Sequence, residues 1–409
     1  MMLLDYLKDS FKQVKHNIKS NDLESIIWLV NLVPSRAGFS IVGDKISAPF
    51  WIVHLSLLFY VYAVGNYVYL TRFAEGAVDS IKSFVNISLF TLILNNSYWF
   101  LMKKPLLKTV LEQVSLNDSL SREKEFMRKK HEKLLYVIKK ILFIFYGSNL
   151  IDAYDYYSMT LILNSSSPYV RSCNFYNQHL KFPSYHLMQH TKFILGLEPL
   201  TTTPNREICL VILCAQEICI MTVVLNYQAL LLFIIAHTAA MYEMLSAEIL
   251  IFDEYDNTPE SYAAVKERLP ILIQRHSLTL NIIKNIKALY SMPIGVNFGS
   301  NAVCICLFFY VPFDEWVTLT PILIYCFLVF FLYCFLCQRL INGAELFENA
   351  IYSCGWEKFS MKEKKMIFVM LMQAQRAVTL LAADIIPVNI YTFATTLQAM
   401  YKFVTVVKL

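Results

Sequence analysis

Three acids sit where acids are costly. Asp152, Asp155 and Glu217 fall inside apolar stretches of this 409-residue chain. An ionised carboxylate surrounded by hydrocarbon is expensive, so it turns toward protein or water. Two readings stay open for the three: a water-filled cavity or ion route, and a structural pairing with a tyrosine or a base. His179, His186 and His190 lie close together, the last two at i, i+4 spacing. A metal centre would need a carboxylate or thiol beside them, so they are read as part of a loop packing over a cavity. No metal and no cofactor are expected. Most of the ten cysteines, among them Cys304, Cys306, Cys326, Cys334 and Cys337, stand in apolar stretches, where Cys acts as a small hydrophobe. Cys173 and Cys209 either pair outside the membrane or remain free thiols. There is no Gly-rich phosphate loop, nucleophile elbow or HExxH, so the chain is not read as an enzyme. A net charge of +5 gives no basis for a nucleic-acid partner.

The elements that must position these residues are membrane helices. The chain is 56% apolar and only 16% charged, against about 25% charged in soluble domains. Residues 49–70, 83–102 and 316–338 each run about 20 residues or more without a formal charge, the length a helix needs to cross hydrocarbon. Amides in lipid must be satisfied within their own segment, so such stretches are helical. Seven spans are predicted: 49–70, 83–102, 134–163, 208–240, 288–311, 316–338 and 385–401. An amphipathic helix over 361–376 precedes the last. Arg376 and Asp384 flank the break between them and are placed to pair across it. Residues 1–20 are charged and amphipathic, so the first span is expected to direct insertion. Apolar periodicity past His237 and again over 269–286 predicts a cytoplasmic helical bundle, with a disordered connection as the alternative.

Orientation follows from Lys and Arg in the connections. With the N-terminus inside, inner segments hold 25 of them and outer segments 8. The expectation is therefore an intracellular N-terminus and an extracellular C-terminus. The sequon at Asn164 then falls outside, while those at Asn86, Asn95 and Asn117 fall where glycosylation does not reach. The chain divides into a cytoplasmic segment (1–48), a four-helix region (49–240), a cytoplasmic anchor with the fifth and sixth spans (241–380) and the last helix (381–409).

The C-terminal stretch carries a resemblance. It reads Tyr352-Ser-Cys-Gly-Trp356, Gln373-Ala-Gln-Arg376, Ile386-Pro387, Thr392-Phe393 and a terminal run from Tyr401. This resembles the C-terminal signature of insect odorant receptors, over roughly the last 70 residues; upstream only the architecture matches. Asp384 departs from the pattern, where many relatives carry a small residue, often Gly. Lys402 stands where Ser is usual. The connection over 242–287 is short, unlike the long insertion of the shared co-receptor, so the chain looks like a ligand-tuning subunit.

The resemblance implies a ligand-gated cation channel, a heterotetramer with the co-receptor subunit, in the plasma membrane of a sensory-neuron dendrite and surrounded by lipid. A small volatile would bind in the outer half of the helices, at an apolar and aromatic site with few polar groups. Candidate contacts are Phe84, Ile87 and Ser88 on the second span and Phe143, Tyr146, Gly147, Leu150, Ile151 and Tyr154 on the third. Ile208 and Ile212 on the fourth and Trp316 and Leu319 on the sixth complete the set. Matching from the chain end implies a pore face of Met400, Val404, Val407 and Lys408, with Val404 as the hydrophobic gate and Lys408 turned from the axis. A gustatory receptor of the same superfamily shares the topology but ends in a motif that Thr392-Phe393 and Gln398 echo only distantly. A G-protein-coupled receptor would need the opposite charge bias, and a transporter an internal repeat.

Overall fold

The computed structural model describes residues 12–37, 40–41, 47–72, 76–121, 125–164, 203–254, 258–310 and 316–408. Helices account for nearly all of it. A helical segment over 12–19 (α1) and α2 (Leu23–Ala37) precede the first span. That span runs as α3 (Ala48–Leu58), a π-helical stretch (Phe59–Gly65) and α4 (Asn66–Arg72). Then come α5 (Ala77–Met102), α6 (Lys104–Ser121), α7 (Glu125–Asn164), α8 (Thr203–Leu250), α9 (Pro259–Phe308), α10 (Trp316–Tyr352), α11 (Met361–Ala374) and α12 (Ile390–Lys408).

The helix starts follow capping chemistry. Ser47 accepts from the Phe50 amide with Pro49 in the first turn of α3, and Thr258 accepts from Ser261 ahead of Pro259 in α9. At α11, Ser360 accepts from the Lys362 amide and hydrogen-bonds the Glu363 carboxylate. That hydroxyl, followed by backbone amides, holds the Glu363 pKa below the usual carboxylate range.

Among the described residues, five helices are long and apolar enough to cross a bilayer: Ala48–Arg72, Asp79–Met102, Val211–Leu250, Pro259–Phe308 and Leu323–Lys358. Two more, α7 and α12, complete the seven. α12 is polar on one face, where it exposes Gln398, Lys402 and Thr405. At the hub stands α8. Its apolar span is 89% buried, as expected of a helix hydrophobic on every side, and it packs along α10, α7, α9 and α2.

Three helices overrun the membrane thickness. α8 has 48 residues, α9 50 and α10 37, where about 20 suffice. Their extensions pack as a bundle, as periodicity predicts, with Leu245, Ile249, Leu269, Leu272 and Phe347 fully buried. Ion pairs join them: Arg275 to Glu248, and Arg339 to Glu243 at 2.5 Å. Gly355 closes the bundle's end. Its φ is +69°, and a Cβ there would lie 2.7 Å from Asp253 Oδ1, so the Tyr352–Trp356 motif requires glycine for both conformation and space.

One expected boundary moves. The last span was predicted from residue 385, but α12 starts at Ile390. Ile386 and Pro387 instead pair with Leu381 and Ala382 in a two-residue antiparallel ladder. Asn389 then caps the helix, its Oδ1 accepting from the Thr392 amide at 2.8 Å.

Candidate functional site

The joint before α12 is built on one serine. In the tight turn between the two short strands, Ala383 and Asp384 both have positive φ, 52° and 59°. Such a backbone favours glycine, which gives a physical reason for the Gly common at the position Asp384 occupies. Asp384 meets the strain with bonds to Ser291 on α9. Its carboxylate accepts from Ser291 Oγ at 2.5 Å, its amide donates to the same oxygen at 2.8 Å, and the Ala383 amide donates to Ser291 O at 2.8 Å. The expected Asp384–Arg376 pair is therefore corrected: among the described residues no ion pair joins them, and Asp384 is engaged with Ser291. Gly295, one turn on, lets the turn approach. A Cβ there would sit 2.6 Å from Ala383 Cβ. Thr392 Oγ1 donates to Pro387 O at 2.6 Å, and the Phe393 ring lies 5.0 Å from Phe330 and 5.6 Å from Phe331 on α10. The Pro, Thr and Phe of the C-terminal signature thus fix where the last helix starts and how it seats.

Along α12 the burial alternates. Met400 and Val404 are buried, Met400 packing with Val85, Cys304, Ile305 and Cys326. The opposite face exposes Gln398, Tyr401, Lys402 and Thr405. Matching from the chain end fixes residue number but not helix rotation, and within one protomer Val404 turns toward its own bundle. The backbone of Val407 and Lys408 closes the helix, and their side chains lie outside the described set.

The ligand candidates separate by position. Tyr146 is half-buried, and its hydroxyl donates to Asn226 Oδ1 on α8 at 3.3 Å. Next to it, a Cβ on Gly147 would meet nothing within 4 Å among the described residues. Ile212 and Ser88 are half-buried. Phe84, Ile87, Phe143 and Ile208 are exposed. On α5 the inward positions are instead Val85 and Leu89. Phe143 shares a cleft with Ile18 and Tyr136, against α1. Leu150, Ile151, Tyr154, Trp316 and Leu319 lie in helices but outside the residues whose side chains are described. So do Asp152, Asp155 and Asn164, while the His179–His190 loop and Cys173 lie outside the described residues altogether. Glu217 is half-buried on α8. Asn117 is fully buried, donating to Thr279 at 3.0 Å, consistent with an unglycosylated sequon.

Two buried clusters had no signal in the sequence, because each joins residues from three different helices. In the first, Trp99 donates from its indole to Leu289 O at 3.1 Å, meets Tyr227 edge to face at 5.0 Å and lies tilted 4.9 Å from Tyr290. In the second, Asp118 on α6 accepts from His131 on α7 at 2.5 Å and His237 on α8 at 3.5 Å, all three buried. Burial alone would raise the Asp118 pKa, but the hydrogen bonds from His131 and His237 hold it well below the usual carboxylate range. The three ligand atoms lie within 4.8 Å of one another, close enough for a metal ion. A metal-bound imidazole donates its second N–H to a partner, and His237 Nδ1 has none among the described residues. The cluster pins three helices together through one shared carboxylate.

Comparison with known proteins bears on all of this. Solved structures of the insect olfactory receptor OR5 from Machilis hrabei share the fold, one (TM-score 0.72, 14% identity, covering 94% of this chain and 98% of that one) and another in complex with eugenol (TM-score 0.70, 14% identity, 94% and 97%). Odorant receptor 49a of Drosophila melanogaster is 22% identical over 156 residues, 37% of this chain and 39% of that protein. The odorant receptor coreceptor of Aedes aegypti is 23% identical over 152 residues, 36% and 32% respectively. These matched segments span about a third of each curated relative. The family model described as 7tm Odorant receptor matches residues 78–401. That range holds six of the seven spans, the Ser291–Asp384 joint and the Thr392–Phe393 seat, and on it the chain belongs to the insect odorant receptor family.

Proposed function

We propose that this chain is the ligand-tuning subunit of a ligand-gated, non-selective cation channel. It binds a small volatile between α5, α7, α8 and α10 and opens a pore shared with a co-receptor subunit. The observation that carries the reading is α12. It is a helix with one face seated in its own bundle and the opposite face, Gln398, Lys402 and Thr405, exposed and polar. A polar stripe on a spanning helix belongs against water or a partner, not lipid. The ligand site centres on Tyr146, Asn226 and Gly147, where one hydrogen-bonding pair adjoins open space. Ile212 and Ser88 flank it, with Phe84, Ile87, Phe143, Leu150, Ile151, Tyr154, Ile208, Trp316 and Leu319 as further candidates. Val404 and Val407 act as an aliphatic gate only if α12 rotates in the assembled channel. The exposed residues Gln398, Tyr401, Lys402 and Thr405 are proposed to face the axis.

Assembly uses α11. Ile367, Met370 and Ala374 are buried in this chain, whereas Phe368, Val369 and Met372 form an exposed apolar face. Exposed apolar patches mark interaction sites. The N-terminus is inside, the C-terminus outside, and any glycan is on Asn164, in the plasma membrane of a sensory dendrite. The test is co-expression with a co-receptor in a heterologous cell, challenged with a panel of volatiles. Dose-dependent inward current is expected from the pair. Silence across a chemically broad panel, with both chains at the surface, would contradict the reading.

A further inference from the structure

We propose that the cleft between α1 and the inner end of α7 binds the phosphate-bearing headgroup of an anionic phospholipid. The cleft encloses about 360 Å3, and its walls include Lys19, Lys139, Lys140, Tyr136, Phe143 and Ile144. Each lysine has a distinct place. Lys139 is buried, and its Nζ donates to Asn17 O at 2.8 Å and to Ser20 O. It thereby caps the last turn of α1 and ties that helix to α7. Asp22 is the acid whose field reaches it. Lys19 and Lys140 are exposed at the rim, and neither has an ion pair among the described residues. Lys12, Lys15 and Lys19 recur at helical spacing along the exposed side of α1.

The apolar wall identifies the source of the phosphate. Tyr136, Lys140, Phe143 and Ile144 form one stripe of α7, all exposed. At 1.5 Å per residue, the stripe spans about 12 Å along the helix axis, roughly the depth from a headgroup to the first acyl carbons. An aromatic belongs at the interface and a lysine can lift its ammonium to the headgroups. A soluble anion has no use for Phe143 and Ile144, whereas the glycerol and acyl chains of a lipid do. Basic pockets at the inner face of membrane helices take anionic headgroups for this reason. Assignment to the inner leaflet rests on the N-terminus-inside orientation given above.

The test uses the full-length chain in nanodiscs of phosphatidylcholine doped with a fluorescent phosphatidylinositol bisphosphate. Saturable binding is expected. Lys19→Gln and Lys140→Gln should each weaken it roughly fivefold and leave the melting temperature in plain phosphatidylcholine unchanged, since both side chains are exposed. Lys139 is left intact because it holds α1. Equal affinity in wild type and double variant would overturn the proposal. So would soluble inositol trisphosphate or inorganic phosphate binding as tightly in plain phosphatidylcholine discs, which would make this a free-anion site. Both nanodisc leaflets are equivalent, so an outside N-terminus, read separately by epitope labelling of intact cells, would move the leaflet and leave the binding result standing.

Discussion

In the proposed ligand site, Gly147 is the position that sets how large a ligand fits. Open space surrounds its missing Cβ, and the Tyr146–Asn226 hydrogen bond lies beside it. Gly147→Leu fills that space without touching the packed face of α7. Surface level should persist, while half-effective concentrations for bulky agonists rise roughly tenfold or more, from overpacking of about 1–3 kcal/mol. Dose–response curves on surface-labelled cells check this, and an unaltered curve would remove α7 from the site. His276 bears on stability instead. It is buried beside Phe347, ring centroids 4.8 Å apart, and burial pushes its pKa down from 6.5 to about 4. Above pH 6.5 the folded and unfolded forms are both neutral there, so the group adds no pH dependence. As pH falls from 6.5 toward 4, the unfolded chain takes up a proton that the folded one refuses, and stability drops by on the order of 3 kcal/mol in all. His276→Phe should flatten that limb. Melting curves of the detergent-solubilised protein across this range measure it, and an identical slope in the variant would place the acid sensitivity elsewhere.

The turn and the two helices around it form a mechanical unit, because α11, the short ladder and α12 all meet α9. Gly295→Ala would force its new methyl against Ala383, 2.6 Å away, so the turn must lift off α9. A loss of about 1–3 kcal/mol is expected, read as a lower melting temperature, with altered ligand-evoked current. Unchanged stability would mean the turn yields freely. On α11, Phe368→Glu should abolish co-purification with the co-receptor while the chain itself stays folded, since Phe368 is exposed. Met370→Glu should unfold the chain, since Met370 is in its core. Retained association with Phe368→Glu would exclude this face. Periodicity puts Met366, Val369, Met370 and Gln373 on adjacent turns of one helix, yet Met370 is buried and Val369 exposed. It reports which residues share a side of a helix, not which side meets the chain's own core.

For the molecule as a whole, the spans and the overlong helices were legible because hydrocarbon thickness and helix rise leave few alternatives for long uncharged stretches. The end of α9 and the start of α10 fall within three residues of their predicted positions. The start of α12 was not, because Ile385 and Ile386 read as a continuing apolar run until Asn389 is seen to cap the helix. The candidate ligand site was legible only in part. Tyr146 and Gly147 lie beside a partner and a space, but the rotation of α5 depends on what packs against it, and that turned Phe84 and Ile87 outward and Val85 inward. The Asp118–His131–His237 pin and the Trp99–Tyr227–Tyr290 cluster each bring together residues of three different helices and leave no periodic trace in the sequence. What ties the scales together is the claim that ligand contact near Tyr146 and Gly147 opens a pore formed by α12 without a second messenger. The direct measurement is current in inside-out patches excised from cells expressing this chain with a co-receptor, in nucleotide-free solution, with an activating volatile applied. The account predicts that ligand-evoked cation current persists in the excised patch and that Lys402→Glu shifts its ion selectivity. Current that vanishes on excision and returns with GTP would contradict it.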